Sequence, residues 1–199
     1  MSIRNHFIAV VVGIALLAGG CASLPAGPAQ RELAAPSDHD LNGVPNFAKI
    51  SDSVWRGGQP TAEGFRNLEA AGVKTVINLR HDHDDAPLLA GTHLNYIRIP
   101  ARPWNPTQDQ IVQFLKVVEN PANGPVFVHC AQGADRTGYC LAAYRIVVDK
   151  WTADDAIREM FAFHYNSIWF ENPRFLRHLN RDLILSQIQR ASEAQKAIL

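Results

Sequence analysis

The stretch from Pro125 to Lys150 limits the fold more than any other. Pro125 to His129 is a short apolar run, Cys130 closes it, and beyond a tight turn Thr137 to Lys150 reads as an apolar helix. An apolar strand joined to an apolar helix needs cover on both sides, which a sheet packed between helices provides. The rest of the chain repeats the alternation. Val54-Trp55-Arg56 is extended and is broken by Gly57-Gly58-Gln59-Pro60; Thr61 then caps a helix running to Ala71 and stopped by Gly72. Val73 to Leu79 is a buried strand, and Leu94 to Ile99 is another that ends at Pro100. Thr107-Gln108-Asp109-Gln110 has the form of a capping box, and Ile111, Phe114, Leu115 and Val118 follow at helical spacing. A further helix opens at Thr152 with Ile157, Met160, Phe161 and His164 on one stripe, and another spans about 172–190, leaving 191–199 as a tail. The expectation is an α/β domain over 44–190, with a mostly parallel central sheet flanked by helices on both faces. Ligands in such folds sit at the carboxyl ends of the strands, where residue 130 lies.

The chain has 199 residues, of which 47% are hydrophobic, enough for one domain with a real core. Its 19 Lys and Arg balance 19 Asp and Glu, so it lacks the basic surface that nucleic acid requires. Three cysteines, at 21, 130 and 140, are too few for a disulfide framework. Arg4, the apolar run Phe7 to Ala18 and Gly19-Gly20-Cys21 have the order of a signal peptide over residues 1–20. Leu17-Ala18-Gly19-Gly20-Cys21 resembles a bacterial lipoprotein signal, in which Cys21 becomes the lipidated first residue, although Ala18 stands where such signals usually carry Leu. Plain secretion is the alternative. Residues 21–43, rich in Ala, Pro, Gly and Ser, read as a flexible tether between that anchor and the domain. The location expected is the cell envelope, on the periplasmic or exterior side of the membrane.

The chemistry is concentrated in Val128-His129-Cys130-Ala131-Gln132-Gly133-Ala134-Asp135-Arg136-Thr137-Gly138. A loop wrapped at a helix N-terminus turns its backbone N–H groups inward and adds the positive end of the helix dipole, so residues 131–136 form a phosphate site. The same field favours a thiolate at Cys130 and makes it a nucleophile. Arg136 suits bidentate contact with phosphate oxygens and follows their charge into the transition state. Gly133 and Gly138 allow positive φ or close backbone approach. Thr137 places a hydroxyl beside the sulfur to stabilise the departing thiolate, and His129 braces the loop by hydrogen bonds.

His129-Cys130-x-x-Gly133-x-x-Arg136-Thr137-Gly138 resembles the signature loop of cysteine-dependent protein tyrosine phosphatases, closest to the dual-specificity branch. Trp55 to Pro60, Gly72 to Arg80, Tyr144 to Val148 before Trp151, and Glu159-Met160 are similar to exported bacterial dual-specificity phosphatases, a likeness covering roughly residues 50–180. The resemblance implies attack by Cys130 on a phosphate monoester, a phosphocysteine intermediate, its hydrolysis by water, and no metal or other cofactor. The departure from the family is the general acid. Relatives carry an aspartate about thirty residues before the cysteine, whereas Ala101-Arg102-Pro103-Trp104-Asn105-Pro106 has no carboxylate. Three replacements are open: Asp135, which either protonates the leaving group or only orients Arg136 and the loop; Asp109, which reads more simply as a helix-dipole partner; and the Asp82, Asp84 and Asp85 loop, which follows a strand whose end faces the site but reads more simply as solvated. His81 to Asp85 mixes imidazole with carboxylate, but without the fixed spacing of a zinc or manganese site. Cys140 reads as a small buried thiol or a redox partner of Cys130, and Trp104 with Phe161 to Tyr165 as core or as an aromatic wall.

Ala131, Gln132 and Ala134 are neutral, so the loop suits one phosphate, and the expected substrate is a phosphorylated protein, tyrosine preferred, or a small aryl phosphate. The competing reading is an envelope lipoprotein that binds phosphate or a phosphopeptide with little turnover. A sulfurtransferase-like use of the loop is disfavoured by the His-Cys and Arg-Thr-Gly flanks.

Overall fold

The computed structural model describes residues 32–37 and 41–198; the predicted signal peptide, Cys21 and the first part of the tether lie outside them. Among the described residues, five strands form one sheet. They are β1 (Ala48–Lys49), β2 (Val54–Gly57), β3 (Thr75–Arg80), β4 (Asn95–Ala101) and β5 (Val126–His129). Their order is β1-β2-β5-β3-β4, with β1 antiparallel to β2 and every other pairing parallel. The fold is thus the expected α/β sandwich, with β5 at its centre. β1, two residues long, carries too little pattern to be read from sequence. Pro100 does not end β4, because that strand lies at the sheet edge, where a missing N–H costs nothing.

Side-chain alternation along the strands divides the core. Trp55, Val76 and Phe127 pack against Phe65 and Leu68 of α1 (Ala62–Ala70). Val54, Ile77, Leu79, Val126 and Val128 face the other way, toward α2 (Gln108–Val118), α3 (Asp135–Val147) and α4 (Ala153–Ala162). Thr61 caps α1, and the Thr107–Gln110 capping box forms as the sequence requires. α3 starts two residues earlier than expected, so Asp135 and Arg136 sit in its first turn. From Thr137 to its end it is buried on all sides, as a central helix must be.

Three further expectations change. The buried face of α4 is Ala156, Ile157, Glu159 and Met160; Phe161 is exposed, and His164 lies past the helix end at φ +64°. The helix expected over 172–190 is two, α5 (Glu171–Arg177) and α6 (Arg181–Ile198), because Asn180 starts a new one by accepting from Leu183 N at 3.0 Å. α6 therefore continues through 191–198, which the sequence reading left as a tail. The stretch expected to be a flexible tether is packed on the domain over its described part. Leu33 and Ala34 lie against the core, Ala34 N donates to Glu159 Oε2 at 2.9 Å, and Ser37 N donates to Phe47 O at 2.9 Å. Gly43 O accepts from Thr61 N at 2.9 Å.

Glu159 also takes Arg145 bidentately, Nε to Oε1 at 2.8 Å and Nη2 to Oε2 at 2.9 Å, with both side chains buried. Asp149 Oδ2 also accepts from Arg145 Nη1 at 2.8 Å, so Glu159→Ala removes the buried half of the guanidinium's partners and should cost about 2 kcal/mol of stability in urea unfolding. It should also open residues 32–37 to proteolysis. A loss under about 1 kcal/mol would show that the pair is not what joins this segment to the domain.

Candidate active site

Cys130 follows the last residue of β5, at the carboxyl end of the central strand. From there the chain curls through 131–134 into α3. Gly133 makes the curl with φ +72°, and a Cβ there would come within 2.5 Å of Gly57 C and 2.6 Å of Gly58 N. Only glycine satisfies both the left-handed backbone and the contact with the end of β2.

The carbonyls of the loop are directed outward, one by one. Cys130 O lies 3.3 Å from Nδ1 of His129. Ala131 O accepts from Gln59 N at 3.0 Å, and Gln132 O from Asn46 Nδ2 at 3.1 Å. Gly133 O accepts from Nη2 of Arg56. In a planar trans peptide the N–H points opposite to the C=O, so these four contacts turn the N–H groups of Ala131, Gln132, Gly133 and Ala134 the other way. Among the described residues none of those four N–H groups meets a protein acceptor. Four orphan donors beside the start of α3 make an oxyanion cradle, and Cys130, buried at 2% exposure, lies at its base.

A buried network holds the cradle from below. Asp85 Oδ2 lies 2.8 Å from His129 Nε2, and Asp85 Oδ1 accepts from Gln59 Nε2 at 2.8 Å. Gln59 Oε1 in turn accepts from Arg80 Nη1 at 2.9 Å. Tyr96 Oη accepts from Asp85 N at 2.9 Å and from Asn78 Nδ2 at 3.0 Å. The expectation of a solvated loop is therefore wrong for Asp85, which is fully buried, and right for Asp82 and Asp84, which are exposed. Ala86 N–H, with the Tyr96 hydroxyl, holds the Asp84 carboxyl below the usual carboxylate range, which suits an anion and not a proton donor. His83 Nε2 stands 3.4 Å from Asp85 Oδ1, but no group of His, Cys, Asp and Glu placed to hold a metal occurs among the described residues.

Arg136 donates from Nε to Ala101 O at 2.8 Å, which fixes its guanidinium and leaves both Nη groups free for a ligand. Thr137 is buried and its hydroxyl has no hydrogen-bond partner. Gly138 admits α4, since a Cβ there would sit 2.9 Å from Met160 Cγ. Asp135 is half-buried, and its Oδ1 accepts from Asn166 N at 2.9 Å. The 101–106 loop is pinned, with Arg102 O accepting from Tyr139 Oη at 3.2 Å and Pro103 O from Asn172 Nδ2 at 2.7 Å. Asp109 is exposed in the first turn of α2, where a dipole partner belongs. Cys140 is a free, buried thiol that burial pushes far up. Trp104 is half-exposed against Trp169, whereas Phe163 and Tyr165 are buried.

Sequence reasoning gave no role to Asn46, Arg56, Gln59 and Arg80, and weighed Asp85 as an acid or a solvated loop residue rather than as a buried support. Arg56 was the detectable one, a charge inside a strand otherwise made of buried residues. For Asp85 the run of acids gave no means of choosing one from three.

Residues 41–176 match the family described as DSP-PTPase phosphatase fused to NAD+ kinase. The dual specificity protein phosphatase TpbA of Pseudomonas aeruginosa (strain UCBPP-PA14) is 29% identical over 158 residues, covering 77% of this chain and 69% of the relative. A probable tyrosine-protein phosphatase of Dictyostelium discoideum is 29% identical over 154 residues, 70% of this chain and 88% of its own. Among solved structures, P. aeruginosa TpbA in complex with pTyr superposes with a TM-score of 0.63 at 25% identity, over 82% of this chain and 98% of that one. The catalytic core of the PP-IP phosphatase SIW14 from S. cerevisiae shares the fold, with a TM-score of 0.66 at 20% identity over 81% and 96%. The chain belongs to the DSP-PTPase phosphatase family and is a cysteine-dependent phosphatase, a hydrolase of phosphate monoesters.

Proposed function

We propose that the chain hydrolyses the phosphate of a phosphorylated protein, phosphotyrosine preferred, with Cys130 as nucleophile. The observation that carries this is the ring of four outward-facing carbonyls around Cys130, three of them held by donors from outside and one beside the His129 ring, which leaves four N–H groups to hold three phosphoryl oxygens. Cys130 Sγ attacks phosphorus, the ester P–O bond breaks, and Arg136 follows the charge with its two Nη groups. Water then cleaves the phosphocysteine, and the unpartnered Thr137 hydroxyl donates to the departing thiolate.

Asp135 is the proton donor to the leaving oxygen in this scheme. Asp85 is sealed beneath the loop with both oxygens engaged, Asp84 is held as an anion, and the pinned 101–106 loop has no carboxylate. Asp135 keeps Oδ2 free while Asn166 holds Oδ1. One phosphate is the fitting load, because Ala131, Gln132 and Ala134 add no positive charge to neutralise a second one. Export with a lipid on Cys21 is proposed from the sequence of residues 1–21 alone; labelling of the cells with radioactive palmitate should mark the chain and spare Cys21→Ala.

Hydrolysis of p-nitrophenyl phosphate by the full chain should proceed in the presence of chelator, and Cys130→Ser should lower it by at least about 10³-fold. Tight oxyanion binding with negligible wild-type turnover would instead mark a binding protein. Asp135→Asn should remove the fall of kcat with rising pH, and profiles superposing on wild type would take Asp135 out of the proton-transfer role. Asp85→Ala should lower kcat/KM by roughly 10–100-fold through a loosened His129 and cradle. Wild-type kinetics in that variant would reduce the buried network to a packing role.

A further inference from the structure

Arg56 is the largest fully buried side chain among the described residues, with 1% of its surface exposed. It leaves β2 on the α3 and α4 side of the sheet, beside Val128 of β5. Nη2 donates to Gly133 O, the guanidinium carbon lies 3.5 Å from the centre of the Phe163 ring, and Nε has no acceptor. No carboxylate forms an ion pair with it among the described residues. The ionisable groups near it are Cys130 and Glu159, whose negative forms attract, and Arg145, which repels. Glu159 is already shared between Arg145 and Ala34 N. Burial works hardest against the charge and pushes the guanidinium down to about 9.

A guanidinium kept in the interior without a carboxylate is costly, and a methionine of similar volume would pack there at less expense. Its one hydrogen bond goes to the carbonyl that determines where Ala134 N–H points, and with Glu159 committed elsewhere the remaining negative partner is the Cys130 thiolate or the anion that the cradle holds. Resting on the phosphatase reading above, we propose that Arg56 is a positioning residue for phosphate hydrolysis. It turns the Gly133–Ala134 peptide so that Ala134 N–H faces the phosphoryl group, and its charge is balanced by the anion in the loop. Arg136 meets the phosphate from the open side; Arg56 acts through the loop from beneath and touches no substrate.

The test uses the full chain with Arg56→Met and Arg56→Lys, inorganic tungstate as the oxyanion, calorimetric titration for its Kd, and p-nitrophenyl phosphate for kcat and KM. Arg56→Met should weaken tungstate at least about tenfold and lower kcat/KM by about 10²-fold, the scale of losing one aimed donor and its charge. Arg56→Lys keeps a cation but loses the planar fork, and its Kd should fall between those of Arg56→Met and wild type. A merely structural role would reduce the fraction of folded protein and leave the Kd of the remainder unchanged. A wild-type Kd in folded Arg56→Met would overturn the proposal. If Arg56→Met does not fold, Arg56→Lys decides alone: a Kd weakened by about three- to tenfold supports positioning, and an unchanged one overturns it. Tungstate binding needs no turnover, so wild-type protein that binds but does not hydrolyse would sink the phosphatase reading without deciding the role of Arg56.

Discussion

The site depends on the direction of four carbonyls. A backbone N–H left without an acceptor costs about 1–3 kcal/mol when buried, as Gly133 and Ala134 are, so a loop of this kind would ordinarily turn such groups inward to bond with itself. Here His129, Gln59, Asn46 and Arg56 flank or hold the carbonyls of residues 130–133 from outside, and planarity fixes the amides that follow. The loop is thereby prepared before any anion arrives. Preorganised donors avoid reorganisation at the moment charge develops, which is where such a site gains most of its rate.

The sheet makes that arrangement possible through the adjacency of β2 and β5. Arg56-Gly57-Gly58-Gln59 leaves the carboxyl end of β2 directly under the loop that leaves β5, and each residue has a distinct task there. Arg56 bonds Gly133 O, Gly57 and Gly58 allow the backbone of Gly133 to lie against them, and Gln59 bonds Ala131 O through its main chain and Asp85 through its side chain. Gly58 N in turn donates to Pro45 O at 2.7 Å, which brings Asn46 to Gln132. Two strand ends that are remote in sequence therefore fix one loop, while β3 contributes Arg80 and the 81–94 connection contributes Asp85.

The helices, the strands of the parallel sheet and the loop at 130–138 were legible in the sequence because each rests on local pattern. Thr61 and Thr107 cap where their side chains dictate, and Cys130, Gly133 and Arg136 sit at spacings that only a curled turn before a helix accommodates. What was not legible is the layer behind the loop. Asn46, Gln59 and Asp85 are polar residues in segments that look like ordinary loops, and only the tertiary fold shows that they converge. The split between α5 and α6 was missed because the apolar periodicity of Leu176, Ile184 and Ile188 continues across Asn180, whose capping role depends on a side-chain conformation. The packed segment at 32–37 was missed because Ala and Pro carry no periodicity, and its anchor, Glu159, lies 125 residues away from Ala34.

The turn after α4 closes the site on its remaining side, and its strain has a physical reason. His164 adopts φ +64° and Asn46 φ +52°, conformations that cost a non-glycine residue about 1 kcal/mol or more each. At His164 the reversal lets Phe163 point inward under the guanidinium of Arg56 while Asn166 N reaches Asp135 at the mouth. At Asn46 it allows one amide group to serve Gln132 O at 3.1 Å and Phe163 O at 3.4 Å, tying the loop to the turn. Gly138 completes the contact, since any side chain there would push Met160 and Tyr165 away from α3. Neither strained residue would hold its conformation alone. They hold it because the same few atoms are fixed from β2, α3 and α4 together, so that relaxing either one would release the cradle it supports.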